Sequence, residues 1–150
     1  MTIKDFEYKS HTADIEFVAN GKTLKDVFCN AAKAFSNSIV PIEQVENKKE
    51  ELVEVRSESL EACLYDFLSA LLVIHETKHM IFCDFMIKSL RRDVDPLEDK
   101  KGWYLLCKAY GDKLDTKKHS VDAYVKAITY SQMKLEKVNG GFRIQMVLDI

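Results

Sequence analysis

Two acidic residues stand near the ends of this 150-residue chain. Asp14 closes the stretch Ser10-His11-Thr12-Ala13-Asp14, which interrupts two segments of strand-like composition, FEYK and IEFVA. Asp149 is the last residue but one, in MVLDI. Phe142, Ile144, Met146 and Leu148 alternate onto one face of that final segment, so Asp149 falls on the other. With the α-carboxylate of Ile150, the two side chains offer hard oxygen ligands of the kind Ca²⁺ or Mg²⁺ takes. Spacing alone does not bring the two ends together, and acidic residues near chain ends are usually just solvated.

Residues 75–79, HETKH, match the H-E-x-x-H pattern of zinc hydrolases. That chemistry needs two histidines one helical turn apart, with the glutamate beside a zinc-bound water. His75 does continue an apolar helical stripe, four residues after Leu71. Three features oppose the match. A strand-like run, MIFCDF, starts immediately after His79, so the helix ends inside the motif. Lys78 puts a cation where a dication would sit. The only later histidine, His119, lies in a polar loop. The simpler expectation is one partly buried histidine and one exposed histidine at a helix C-terminus. Glycine-rich phosphate loops and a G-x-S-x-G elbow are absent, so the pattern of residues assigns no catalytic side chain.

The elements that must hold these residues follow from periodicity. Residues 6–9 and 15–19 alternate as strands, and Asn20-Gly21 forms a turn. Thr23 is placed to cap a helix carrying Leu24, Val27, Phe28, Ala31, Ala32 and Phe35 on one face, ended by Pro41. ELVEVRS (51–57) reads as a strand. Ser59 then caps a longer helix with Leu60, Cys63, Leu64, Phe67, Leu68, Leu71 and Ile74 on its buried side. MIFCDFMIKSL (80–90) reads as a central strand, RRDVDPLEDKKG (91–102) as a charged linker, and residues 103–111, 121–136 and 141–149 as three more strands. The order β, β, α, β, α, β, β, β, β predicts a two-layer α+β fold, two helices on one mostly antiparallel sheet, with residues 1–150 as a single domain.

A net charge of −2 gives no basic footprint for nucleic acid, so direct nucleic-acid binding is not expected. No apolar run approaches the roughly 20 residues that span a bilayer, and the N-terminus lacks a signal-peptide pattern, which together predict a cytoplasmic protein away from membranes. Cys29, Cys63, Cys83 and Cys107 form no close pairs and sit in apolar segments, as expected of reduced, buried thiols.

Three motifs then occur in order: YKSHTADIEFVANGKTLKDVFCNAAKAF, LEACLYDFL, and VKAITYS with a terminal VLDI. Between the second and third lie Gly111-Asp112 and His119. From about residue 8 onward the chain resembles the archease family. The resemblance implies a small non-catalytic accessory protein that activates the RtcB-type RNA ligase of tRNA splicing and RNA repair. It would promote the ligase's guanylylation and multiple turnover through transient protein contact. It also implies a divalent cation, calcium or its in-cell alternative magnesium, held by Asp14, Asp149 and a backbone or terminal oxygen of Ile150. Lys126 is implied in activation, and His11 in orienting Asp14 or bonding the local turn. Ser10, Asp112 and Ser131 depart from the family's common residues without touching the three implied ligands. Two other readings stay open: a chaperone-like interaction module for RNA-processing enzymes, and a small zinc hydrolase using His75, Glu76 and His79.

Overall fold

The computed structural model describes residues 5–9, 14–95, 97 and 100–150. Seven strands and two helices follow in the expected order: β1 (Phe6–Lys9), β2 (Asp14–Gly21), α1 (Leu24–Ile39), β3 (Lys49–Ser57), α2 (Leu60–Lys78), β4 (Met80–Asp95), β5 (Lys100–Lys113), β6 (Ala127–Val138) and β7 (Gly141–Asp149). Both predicted caps are present. The Thr23 hydroxyl accepts from the Asp26 amide while the Asp26 carboxylate accepts from the Thr23 amide, a reciprocal capping box. The Ser59 hydroxyl accepts from the Ala62 amide. Each cap stabilises its helix by about 1 kcal/mol.

The α+β class holds, and every strand pairing is antiparallel. The strands divide between two sheets, β1-β2-β7-β6 and β3-β5-β4. The helices touch strands of both: α1 meets β1, β2, β7 and β4, and α2 meets β6, β3, β4 and β5. That placement explains why Phe28 and Phe35 of α1, Phe67 and Leu68 of α2, Leu105 of β5 and Met146 of β7 share one fully buried core. Each such side chain contributes about 1.5–3 kcal/mol through removal of apolar area from water.

Two segments differ from the sequence reading. Residues 91–95 and 100–102, expected as linker, belong to β4 and β5, so these strands form a long hairpin. Within it Arg91 pairs with Asp93, which Arg56 of β3 also reaches. Conversely, residues 121–126 alternate like a strand but lie outside β6, which begins at Ala127. There the chain is held by single bonds instead, the Asp122 amide to the Ile39 carbonyl and the Lys126 amide to the Asp149 carbonyl.

Candidate metal and partner site

β7 lies between β2 and β6, and its register places the two carboxylates of interest. Asp14 is directly opposite Asp149 across the β2–β7 ladder, and Asp149 is directly opposite Ala127 across the β6–β7 ladder. Directly opposed residues share a face, with Cβ atoms about 4.5–5.5 Å apart. The companion face carries Phe17, Ile128, Ile144, Met146 and Leu148, all buried against the helices. Asp14 and Asp149 therefore project together from the side of the sheet away from the core, at its end, where Asp14 is half-buried and Asp149 exposed. Ile150, also exposed, continues from Asp149.

The 126 amide donates to the Asp149 carbonyl at 2.7 Å, which pins Lys126 beside the pair. Its side chain is exposed, and among the described residues no carboxylate forms an ion pair with it. The backbone bond thus fixes the lysine's base and leaves its ammonium available. His11, the other residue expected near Asp14, lies outside the described residues.

A third carboxylate escaped the sequence reading. Glu16 is buried on the same face as Asp14, and its Oε1 accepts from Gln145 Nε2 at 2.9 Å. The available signal was its position two residues after Asp14 in an alternating strand. Among the described residues no three His, Cys, Asp or Glu side chains converge as a metal-ligand set. A cation between Asp14 and Asp149 would accordingly need further oxygens, and the main chain of Ile150 and water are the neighbours able to give them.

The HETKH segment is not arranged for zinc. His75 lies in the last turns of α2, where its Nδ1 is 3.0 Å from the Met80 carbonyl oxygen. His79 is the C-cap, in a left-handed conformation at φ 55°. The chain has left the helix there, so the two rings do not share one helical face. Lys78 pairs with Glu51 at 2.9 Å. His79 instead lines a surface cleft of about 630 Å³ with Lys48, Asp112, Lys113 and Lys118, which neither Asp14 nor Asp149 borders. His119, read as part of a polar loop, is buried, and its Nδ1 accepts from the Asp115 amide at 2.9 Å. It closes the loop that precedes Lys126.

The thiols are structural. Burial pushes Cys63 and Cys107 up to about 12, and it raises Cys29 and Cys83 as well. All four are free.

Comparison with known proteins bears on the whole chain. The model of the Archease protein family (MTH1598/TM1083) matches residues 6–150. Protein archease of Pyrococcus abyssi is 42% identical over 149 residues, covering 99% of this chain and 100% of the relative. That of Methanosarcina mazei is 38% identical over 147 residues, covering 98% and 97%. Among solved structures, the solution structure of Methanobacterium thermoautotrophicum protein 1598 has a TM-score of 0.78 at 32% identity, covering 99% of this chain and 100% of that one. The crystal structure of a Thermotoga maritima archease, described as a possible chaperone, has a TM-score of 0.56 at 14% identity, covering 100% and 99%, a likeness of fold alone.

Proposed function

The chain belongs to the archease family, and on that premise we propose that it is a metal-dependent activator of the RtcB-type RNA ligase of tRNA splicing and RNA repair, itself carrying out no catalysis. The observation that carries this reading is the pairing of Asp14 with Asp149 at one end of the β1-β2-β7-β6 sheet. Like charges directly opposite one another in a sheet are destabilising, so a pair built this way favours a cation between them.

The donor set suits a hard divalent ion such as Ca²⁺ or Mg²⁺: carboxylate oxygens of Asp14 and Asp149, a main-chain oxygen of Ile150, and open positions for water. Such an ion supplies positive charge at an exposed sheet end, where a phosphate-bearing partner site can approach it. The protein's own part is to hold the two carboxylates in register, through the β2–β7 ladder, and to hold Lys126 alongside. Lys126 acts as a second, mobile positive charge toward a phosphate or a carboxylate of the ligase. Core packing behind Leu148 and Ile128 keeps the end of β7 fixed while the carboxylates stay outside.

The test is ligase guanylylation and multiple-turnover joining with GTP and Mg²⁺, adding wild-type protein, Asp14→Ala or Asp149→Ala. Acceleration by the wild type and failure of two folded variants is the expected result. Equal acceleration by all three would make the carboxylates incidental and favour a chaperone-like interaction module. No acceleration by any would remove the ligase reading.

A further inference from the structure

Residues 114–126 carry the chain from β5 in one sheet to β6 in the other, with neither helix nor strand along the way. A connection this long is uncommon inside a small domain, and its order has to come from particular side chains. Along it only His119 and Val125 are buried. The turn at its start is built around Asp115. The Asp115 carbonyl accepts from the amides of Lys118 and His119 at 2.9 and 2.8 Å, and its Oδ1 accepts from the Lys117 amide at 2.9 Å. The Asp115 amide itself donates to Nδ1 of His119 at 2.9 Å. That nitrogen therefore carries no proton, and the proton of the ring is on Nε2.

We infer that His119 is a positioning residue for Lys126, acting through this segment, an inference that rests on the reading of Lys126 as an activating charge. Beyond His119 the chain is fastened by single bonds. The Ser120 amide donates to Gln44 Oε1 at 2.8 Å, the Asp122 amide to the Ile39 carbonyl at 2.7 Å, and the Lys126 amide to the Asp149 carbonyl at 2.7 Å. Ser120, Asp122 and Lys126 are exposed, and single hydrogen bonds at exposed positions open readily. The segment is therefore held by its two buried side chains, His119 before these bonds and Val125 beside Lys126. Val125 supplies apolar contact, which has no direction. The imidazole buries a ring and also gives the Asp115 amide its acceptor, a directional bond. Without that bond the other bonds of Asp115 keep the internal shape of the turn but do not fix how it sits on the protein.

Lys126 depends on such support. Its ammonium is exposed and forms no ion pair among the described residues, so its direction comes from the backbone, and that backbone is anchored from His119 onward. The ladder that sets Asp14 opposite Asp149 lies in β2 and β7, outside this segment. Placement of the lysine and placement of the carboxylates are thus separable.

Three substitutions separate the acceptor from the volume. His119→Asn keeps an oxygen where Nδ1 stands, His119→Gln moves the same amide one carbon further, and His119→Phe fills the space without an acceptor. Amide hydrogen exchange reads the hold on Lys126 without the ligase. The Lys126 amide should exchange at least about tenfold faster in His119→Gln and His119→Phe, and near the wild-type rate in His119→Asn. Amides of the β2–β7 ladder should keep their protection in all three. In the ligase assay, guanylylation should fall at least about fivefold with His119→Gln or His119→Phe and be retained with His119→Asn. On a Lys126→Ala background, His119→Phe should cost nothing more, because it acts through the lysine. Four results each overturn the inference: unchanged Lys126 exchange in both loss variants, equal quickening in His119→Asn, a further loss on the Lys126→Ala background, or loss of the fold in His119→Gln and His119→Phe alike. A wild type without effect on the ligase removes the activating role of Lys126 instead, and exchange then decides the positioning by itself.

Discussion

Asp14 and Asp149, 135 positions apart in sequence, are direct cross-strand neighbours at the end of the β2–β7 ladder. This relationship predicts stabilisation by divalent cations. An ion at about 100 times its dissociation constant adds about 2.7 kcal/mol, which raises the melting temperature of a domain of this size by about 5–10 °C. Asp14→Ala and Asp149→Ala should abolish that rise. Differential scanning fluorimetry with and without Ca²⁺ and Mg²⁺ reads it directly, and an unmoved wild-type melt would exclude the pair as a metal site.

Lys126 should separate metal binding from activation. Its amide secures the end of β7, a bond that any side chain leaves in place, while its ammonium forms no ion pair among the described residues. Lys126→Ala should therefore leave the melting temperature within about 1 °C and keep the calcium response, since solvated surface changes stay within about 0.5 kcal/mol. Ligase guanylylation should fall by at least tenfold. Loss of the calcium response in this variant would place the lysine in the metal site instead.

The thiols set an alkaline limit on stability. Cys63 and Cys107 are held protonated up to about 12 in the folded state, against 9.0 for the free thiol. Their contribution is complete below pH 9, because both states are then protonated. It is lost progressively as pH rises from 9 toward 12, where only the unfolded chain ionises. Urea midpoints should thus decline steeply over that window, and Cys63→Ser combined with Cys107→Ser should flatten the decline. At pH 8 neither thiol should react with a soluble disulfide reagent until the protein unfolds.

Local chemistry was legible in the sequence wherever it was decided locally. Thr23 and Ser59 read as caps because a hydroxyl followed by an apolar stripe admits little else, and both do cap. The alternation of Phe142, Ile144, Met146 and Leu148 correctly sent Asp149 away from the core. Pairing was not legible from pattern: alternation gives a strand's faces but not its neighbour, so nothing assigned β3 to β5, and only the family resemblance brought Asp14 to Asp149. The charged run 91–102 read as linker because charge normally marks loops, whereas here Arg91 and Arg92 lie over the rings of Tyr104 and Trp103 in an exposed hairpin. The bulge in β6 was also invisible. Residues 130–133 stand opposite Met146 alone, with Gln132 left-handed at φ 57°, and this lets Tyr130 stack on Tyr65 of α2 at 4.1 Å.

His79 gives the sharpest test of the zinc-hydrolase alternative, because the two readings predict opposite signs. As the C-cap of α2 in a left-handed conformation, it holds a position that glycine fills without a Cβ penalty. His79→Gly should therefore stabilise the protein or leave it unchanged, by up to about 1 kcal/mol relative to wild type in urea denaturation. It should also leave calcium binding and ligase activation intact, since His79 borders neither Asp14 nor Asp149. A zinc ligand at the same position would give the reverse: loss of stoichiometric zinc, a lower urea midpoint and, with Glu76→Gln, loss of any hydrolytic activity. Elemental analysis of the purified wild type, followed by the two variants, decides between them.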